Sequence, residues 1–292
     1  MNSSTRPPTS ATAPILHPAD APTRPIQPGP VAALVRKAPL ASFLVLSLAL
    51  SWWPAALYAA GWYPAPNAGF GPFLAAVTVL GLTQGRSGIG RLLRSMIQWR
   101  VPLRGYLAAI GLPVLVSGGA VLANLALGAA RPAASDLATW TDIPLTLAAI
   151  LLIPLFGGAW EEPGFRGYAL GRLEARFGAV AGPLVLGAFW TFWHLPLFVS
   201  GDILWPDVLV IMAASIVIAK VFHSARDSVL IAMLLHATNN AVAGNYGSLL
   251  FHGHDSARLG LLTAAGWWLV AGAILAHGRA TRHRGATPLL SH

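Results

Sequence analysis

Long apolar stretches alternate with short polar segments along this chain from Pro39 onward. Crossing a hydrocarbon core of about 30 Å takes about 20 helical residues, and eight of the stretches approach or reach that length. They lie at about 39–62, 68–84, 105–128, 143–160, 179–200, 205–222, 228–250 and 259–277. The pattern predicts an all-α fold, a polytopic membrane helix bundle with about eight transmembrane helices.

Two polar segments between these stretches have the pattern of helices that lie in the membrane interface. In residues 86–104, apolar side chains recur at helical spacing and arginines occupy the other side of the helix, as in an interfacial amphipathic helix. Residues 161–177 look similar, although Gly164 and Gly171 weaken the helical pattern. We expect both segments to lie along the membrane surface.

The two ends of the chain differ from this membrane-embedded part. Residues 1–38 are rich in Pro, Ala, Ser and Thr and have no apolar period, so they are predicted to be disordered. No apolar stretch follows their early positive charge, which argues against a signal peptide. The predicted organisation is a disordered cytoplasmic tail (1–38), a membrane-embedded domain (39–278, motif core about 140–245) and a short basic cytoplasmic tail (279–292).

Composition and charge agree with an integral membrane protein. The chain is 55% hydrophobic and 10% charged, against roughly 25% charged residues in a soluble domain. If the amino terminus is cytoplasmic, every Lys and Arg except Arg131 and Arg258 falls on a cytoplasmic segment, which is 17 of the 19. The positive-inside rule therefore explains the net charge of +9, and no nucleic-acid partner is needed. We expect a bacterial cell-membrane protein with both termini cytoplasmic and the lipid bilayer as its partner. The oligomeric state is not indicated.

This topology gives a first testable prediction. Reporter fusions at residues 135 and 284 should report opposite compartments, because an odd number of predicted spans separates the two positions. Measuring one cytoplasmic and one exported reporter in the same cells checks it. Signals from the same compartment would contradict the span assignment.

Strongly polar residues are rare at membrane depth, which makes a carboxylate pair conspicuous. Glu161 and Glu162 follow the uncharged run 143–159, and Arg166 comes four residues after Glu162. Spacing of four places Glu162 and Arg166 on one helix face, where we expect an ion pair. Ionisable groups in or beside a bilayer are functional-site candidates by default. The glutamates are predicted to lie at the cytoplasmic end of the fourth span.

Two histidines and an asparagine also lie inside predicted spans. His194 lies within the apolar segment 188–199, and His236 precedes Asn240 by four residues, so His236 and Asn240 share one face of their helix. Each could instead be a hydrogen-bonding contact between packed helices. Because they are nearly all of the strongly polar groups at this depth, we expect them to converge with Glu161 on one water-accessible cavity. That cavity is expected to open toward the cytoplasmic half of the bilayer.

These three segments carry a resemblance to a known family. The segment EEPGFRGYAL, the segment around His194 and the segment HATNN resemble the three motifs of the type II CAAX prenyl endopeptidase and bacteriocin-processing family of intramembrane proteases, also called the CPBP or Abi family. The resemblance covers about residues 140–245. The family normally has phenylalanine four residues before the histidine of the second motif, whereas this chain has Trp190. An aromatic replacement is expected to preserve the packing there.

Hydrolysis of a peptide bond needs an activated water, stabilisation of the oxyanion and a proton for the leaving amine. The chain has no cysteine, and the motif cores contain only Thr191 and Thr238 as hydroxyl side chains, so a covalent mechanism is disfavoured. We expect Glu161 to act as the base. The resemblance implies the same roles: Glu162 and Arg166 orient the motif, His194 assists the water, and His236 and Asn240 donate to the oxyanion.

A metal remains an alternative at this stage. Glu161, His194 and His236 would give three ligands of a catalytic zinc site with water in the fourth position, although the chain has no HExxH helix. The family is often labelled metalloprotease, and a metal-free glutamate mechanism is also argued for it. The sequence leaves zinc and no cofactor both open.

Three function classes follow from these features. An intramembrane endopeptidase that hydrolyses a membrane-associated protein or peptide accounts for all of the polar groups in the spans. A non-catalytic membrane immunity or scaffold protein of the same fold is the main alternative. A transporter is less favoured, because no internal repeat is evident. The sequence does not identify the substrate or show whether it is prenylated.

Overall fold

The computed structural model describes residues 29–156, 158–244 and 247–285, and the regular secondary structure of these residues is entirely helical. This confirms the all-α prediction. The α-helices of the described residues are α1 (Pro30–Lys37), α2 (Pro39–Trp52), α3 (Pro54–Ala59), α4 (Gly71–Met96), α5 (Leu103–Ala126), α6 (Ala134–Ala138), α7 (Ile143–Leu152), α8 (Glu162–Gly164), α9 (Gly171–Phe177), α10 (Ala181–Trp193), α11 (Leu195–Ser200), α12 (Trp205–Ser224), α13 (Val229–Asn239) and α14 (Gly253–Gly285). Single 3₁₀ or π segments occupy Thr139–Asp142, Pro154–Phe156, Gly158–Glu161, Phe165–Leu170, Asn240–Gly244 and Gly247–Leu249.

Four helical stretches among the described residues are long and apolar enough to cross a membrane. They are Pro39–Ala59, Leu103–Ala126, Trp205–Ser224 and Gly253–Gly278. Each coincides with a predicted span, because a long, mostly apolar run can be recognised from the sequence alone. Two more apolar helical stretches, Ala181–Trp193 and Val229–Gly244, are shorter. The predicted count of about eight spans is therefore not confirmed.

The predicted second span and the first predicted interfacial segment belong to one element, α4. Its helical geometry is interrupted at Gly85, whose φ of 63° lies in the left-handed region that glycine adopts without steric penalty. Residues 86–96 form a helix beyond this kink, so the helical pattern was correctly predicted there. Their position in the interface remains a prediction.

The predicted fourth span is wrong, because the helix stops long before the glutamates. α7 has only ten residues, and the chain continues through Pro154–Phe156 and Gly158–Glu161 as 3₁₀ turns. Proline cannot donate a helical hydrogen bond, and Gly158 has φ +52°, so the α-helix cannot continue through this segment. A ten-residue helix rises about 15 Å, half the thickness of a hydrocarbon core of about 30 Å.

The segment 161–177, predicted to be interfacial, is instead partly buried inside the bundle. Phe165 and Leu170 are fully buried, and the backbone of Phe165–Leu170 has π-helical hydrogen bonding. The fifth predicted span is interrupted as well, since α10 ends at Trp193 and α11 begins at Leu195. Pro196 explains this break, because it has no N–H to donate to the carbonyl four residues earlier.

The predicted tails also need correction. Residues 30–37, predicted within the disordered segment, form α1, in which Val35 is buried and Arg36 Nε donates to the carbonyl of Leu82 at 3.0 Å. At the other end, residues 279–285 continue α14. Residues 1–28 and 286–292 lie outside the described residues, so those parts of the tail predictions stay predictions.

The helices form a bundle with two chemically different ends. At the end that we call the basic end, the α4–α5 link meets the α12–α13 link, since Ser228 Oγ donates to Gln98 O at 2.8 Å. At the other end, called the acidic end, the last turn of α5 meets the start of α14, where Asn124 Nδ2 donates to Asp255 O at 3.0 Å. Helix α12 runs between these ends and is the most deeply buried of the long helices.

Candidate active site

Glu162 and Arg166 form a buried ion pair on one helical turn. Arg166 Nη1 donates to Glu162 Oε1 at 2.9 Å, and neither side chain is exposed to solvent. This confirms the contact that the spacing of four predicted. Buried charges are retained at tolerable cost only when they are paired, so each of these residues depends on the other for its place in the core.

Glu162 has a second partner that the sequence analysis missed. His236 Nδ1 donates to the same oxygen, Glu162 Oε1, at 2.7 Å. A carboxylate accepts hydrogen bonds, so Nδ1 carries a hydrogen, and this contact fixes the orientation of the imidazole ring. The ion pair between Glu162 of α8 and Arg166 in the next turn therefore orients His236 of α13.

Trp190 connects the other groups of the site. Its indole Nε1–H donates to Glu161 Oε2 at 2.7 Å, and its ring lies over the Arg166 guanidinium at 4.6 Å. The carbonyl of Trp190 accepts from His194 Nδ1 at 2.8 Å. The sequence analysis treated Trp190 as a packing residue, yet a phenylalanine at this position could not donate to Glu161.

Gly158 allows the backbone to approach Asn240 and His236 closely. A Cβ atom at this position would lie 2.5 Å from Asn240 Nδ2 and 3.5 Å from His236 Nε2. The φ of +52° at Gly158 also favours glycine. The sequence analysis did not select this residue. The signal available was a pair of glycines, at positions 157 and 158, that directly precedes the short segment leading to the two glutamates.

A cavity of about 1020 Å³ contains the remaining predicted groups. Glu161, His194, His236 and Asn240 all line it, together with Gly158, Trp190 and other residues. Glu162 and Arg166 do not line the cavity and lie behind it, in contact with His236 and Trp190. The structure thus brings all six predicted site residues together, four of them facing one space and two supporting that group.

The cavity extends toward the acidic end of the bundle. Its lining includes Asp202, Asp207 and Ser256, which belong to the acidic end of the bundle. The basic loops, which the charge distribution assigns to the cytoplasm, lie at the other end. The expectation of a cavity that opens toward the cytoplasmic half stays a prediction, because it depends on which side of the membrane each end faces.

The zinc alternative of the sequence analysis names Glu161, His194 and His236 as ligands. Among the residues that the structure describes, no group of three His, Cys, Asp or Glu side chains lies close enough to hold a metal ion. Glu161, His194 and His236 line the same cavity but do not form such a group. The choice between zinc and no cofactor therefore stays a prediction, and the mechanism proposed for these residues uses no metal.

A cavity lined by a buried carboxylate, inside a bundle of apolar helices, defines the class, an integral membrane protein with an embedded polar site. Residues 143–242 match the family model described as "Type II CAAX prenyl endopeptidase Rce1-like". The matched range contains all six predicted site residues. The resemblance to the CPBP family is thereby confirmed, and at the level of the family this chain is similar to intramembrane proteases.

A curated relative also matches part of the chain. Over 99 residues the chain is 29% identical to "CAAX prenyl protease 2" of Methanococcus maripaludis. The matched stretch covers 30% of this chain and 36% of the relative. This chain therefore spans about a third of the length of the curated relative it matches.

Proposed function

We propose that this protein is an intramembrane endopeptidase that hydrolyses a peptide bond of a membrane-associated protein or peptide. One observation supports the proposal most directly. Glu161, His194, His236 and Asn240 come from distant parts of the chain and line one cavity, and they provide the groups that peptide hydrolysis requires. The name of the archaeal relative refers to a prenylated substrate, and our proposal does not extend that feature to this chain.

In the proposed mechanism Glu161 activates the water. The indole N–H of Trp190 holds one carboxylate oxygen, Oε2, which leaves Oε1 to accept a proton from a water in the cavity. His194 donates from Nδ1 to a backbone carbonyl, so the lone pair on its Nε2 can hold the same water. Glu161 then returns the proton to the amine that leaves.

Asn240 and His236 would stabilise the oxyanion of the tetrahedral intermediate. The Asn240 amide and His236 Nε2 lie together beside Gly158, and Asn240 Nδ2 is a hydrogen-bond donor. Glu162 accepts from the opposite ring nitrogen of His236 and holds the ring so that Nε2 faces the cavity, and His236 donates to the oxyanion from Nε2 when both ring nitrogens carry a hydrogen. Glu162 and Arg166 are positioning residues in this scheme, because they act through His236 and Trp190.

An assay with a chelator tests the proposal. Purified protein in lipid vesicles should cleave a membrane-inserted peptide, and a strong chelator should leave the rate unchanged, since the proposed water is activated by Glu161 alone. The measurement is the cleavage rate before and after chelation. Loss of the rate on chelation with recovery on adding zinc would contradict the metal-free mechanism. Absence of cleavage under all conditions would favour the immunity or scaffold alternative.

The substitution Trp190→Phe tests the hydrogen bond to Glu161. Phenylalanine keeps an aromatic ring but removes the donor, and a hydrogen bond to a charged group contributes about 1.5–3 kcal/mol. We expect the cleavage rate to fall by about one to two orders of magnitude, given about 1.4 kcal/mol per tenfold. The measurement is kcat and KM for Trp190→Phe in folded, membrane-inserted protein.

The control is Trp193→Phe, which removes an indole N–H that donates to Ser51 Oγ and not to a carboxylate. We expect a smaller loss for this variant. A double variant separates positioning from packing: once Glu161→Gln is present, Trp190→Phe should lower the rate little further, because both changes act on one group. Independent, multiplying losses would mean that Trp190 has a packing role alone.

A further inference from the structure

The charged residues of the described chain are divided between the two ends of the bundle. The basic end carries Arg36, Lys37, Arg86, Arg91, Arg94, Arg100, Arg104, Arg172, Arg176, Lys220 and Arg226. The acidic end carries Asp136, Asp142, Asp202, Asp207 and Asp255 with only two arginines, Arg131 and Arg258. One of these two, Arg258, is paired with Asp255 at 2.9 Å. A division of this kind is the strongest general indicator of which side of a membrane faces the cytoplasm.

The cavity reaches solvent at the acidic end. Its lining on α12 extends from Pro206 to Ile218, which is about 18 Å of helix measured from the first turn. Most of the exposed residues of its lining lie at this end, namely Leu145, Asp202, Leu204, Gly244 and Ala257, and exposed Leu155 follows α7. Among the described residues, its lining includes none from the basic segments 86–104, 166–180 or 220–228.

Toward the basic end the site is closed by packed side chains. Glu162 and Arg166 lie behind the cavity, and Phe165, Tyr168 and Leu170 on the same segment are buried. Tyr168 also donates from its hydroxyl to the carbonyl of Pro39, at the start of α2. A water or a peptide that enters from the basic end would have to pass through this packed layer.

From these two observations we infer that the cavity is entered from the non-cytoplasmic face of the membrane. This inference rests on the proposed function in one respect, namely that the cavity is where the substrate is cleaved. The substrate class is then a segment of a membrane-associated protein or peptide that lies on the non-cytoplasmic side or in that half of the bilayer. Lipid-modified carboxyl termini displayed in the cytoplasm are excluded, because they face the closed end.

Single-cysteine labelling tests the inference in intact cells, since the natural chain contains no cysteine. Three serine-to-cysteine changes of almost equal size provide matched positions. Ser87→Cys places a thiol at the basic end, Ser135→Cys places one in the exposed helix α6 at the acidic end, and Ser256→Cys places one in the cavity lining. The probe is a small thiol reagent that does not cross membranes, used before and after permeabilisation.

We expect Ser135→Cys and Ser256→Cys to react in intact cells, and Ser87→Cys to react only after permeabilisation. Reaction of Ser87→Cys alone in intact cells would overturn the inference, because the basic end would then face outward. Reaction of Ser135→Cys without Ser256→Cys would also overturn it, since the cavity would be closed to that face. Labelling requires no catalysis, so an inactive protein with the expected pattern would count against the proposed function alone.

Discussion

The substitution Glu161→Gln should lower the rate of peptide-bond cleavage by about 10²–10⁴-fold, the usual contribution of a general base. Glutamine has nearly the same shape as glutamate and can still accept the hydrogen bond that Trp190 donates to Oε2. It cannot take a proton from water. The variant should therefore insert and fold as the natural protein does, and its loss should appear in kcat.

The measurement is the cleavage rate in vesicles that contain equal amounts of folded protein. Glu174→Gln is the matched control: it makes the same chemical change at the basic end, where Glu174 contacts His223 at 3.0 Å and does not line the catalytic cavity. Asn240→Ala should fall between the two, at about 10²–10³-fold, the cost of one lost oxyanion donor. Equal rates for Glu161→Gln and Glu174→Gln would remove Glu161 from the mechanism.

Local spacing predicted the features of the site that lie within one helical turn. The contact between Glu162 and Arg166 followed from a separation of four residues, because that separation alone places two side chains on the same face. The long helices α5, α12 and α14 were found for a similar reason. A helix of about 20 residues that is almost entirely apolar has few other stable conformations in a membrane.

The breaks in the helices could not be read from apolar length. The segment from Ile153 to Glu161 is apolar enough to look like part of a span, and its backbone leaves the α-helix because of Pro154 and Gly158. Membrane proteins tolerate such backbone where it is buried in protein or lines a cavity. Hydropathy averages over those residues and therefore misses the turn that brings Glu161 into the bundle.

The sequence also did not predict the contacts between distant segments. His236 binds Glu162 across 74 positions of the chain, and Trp190 binds Glu161 across 29. No periodicity relates such positions, so the motifs indicated which residues belong together but not which atoms meet.

The substitution Arg166→Ala should destabilise the folded protein strongly, by about 3–5 kcal/mol, the cost of removing one partner from a buried ion pair. Glu162 would keep the contact with His236 but would lose the permanently charged Arg166 beside it. Trp190 would lose the guanidinium that packs over its ring. The expected readouts are a lower folded yield and a lower thermal unfolding midpoint in detergent. Cleavage by the remaining folded fraction should also be reduced, because His236 and Trp190 are both held by this pair.

Arg94→Ala is the matched control, because Arg94 is exposed. Arg172 is less suitable, because it donates to Tyr168 O and packs on the Tyr168 ring. We expect Arg94→Ala to change stability by less than about 0.5 kcal/mol, as for most surface substitutions. Equal effects of Arg94→Ala and Arg166→Ala on stability would mean that Arg166 contributes no more than an exposed arginine.

A double variant separates the stabilising role of the pair from its positioning role. Replacing a buried ion pair by apolar side chains of similar volume is often neutral or stabilising, so Glu162→Leu with Arg166→Met should recover most of the folded yield lost in Arg166→Ala. It should not recover cleavage, because Nδ1 of His236 would lose the carboxylate that accepts from it. Recovery of both properties together would mean that the pair only fills the core, and that His236 needs no acceptor behind it.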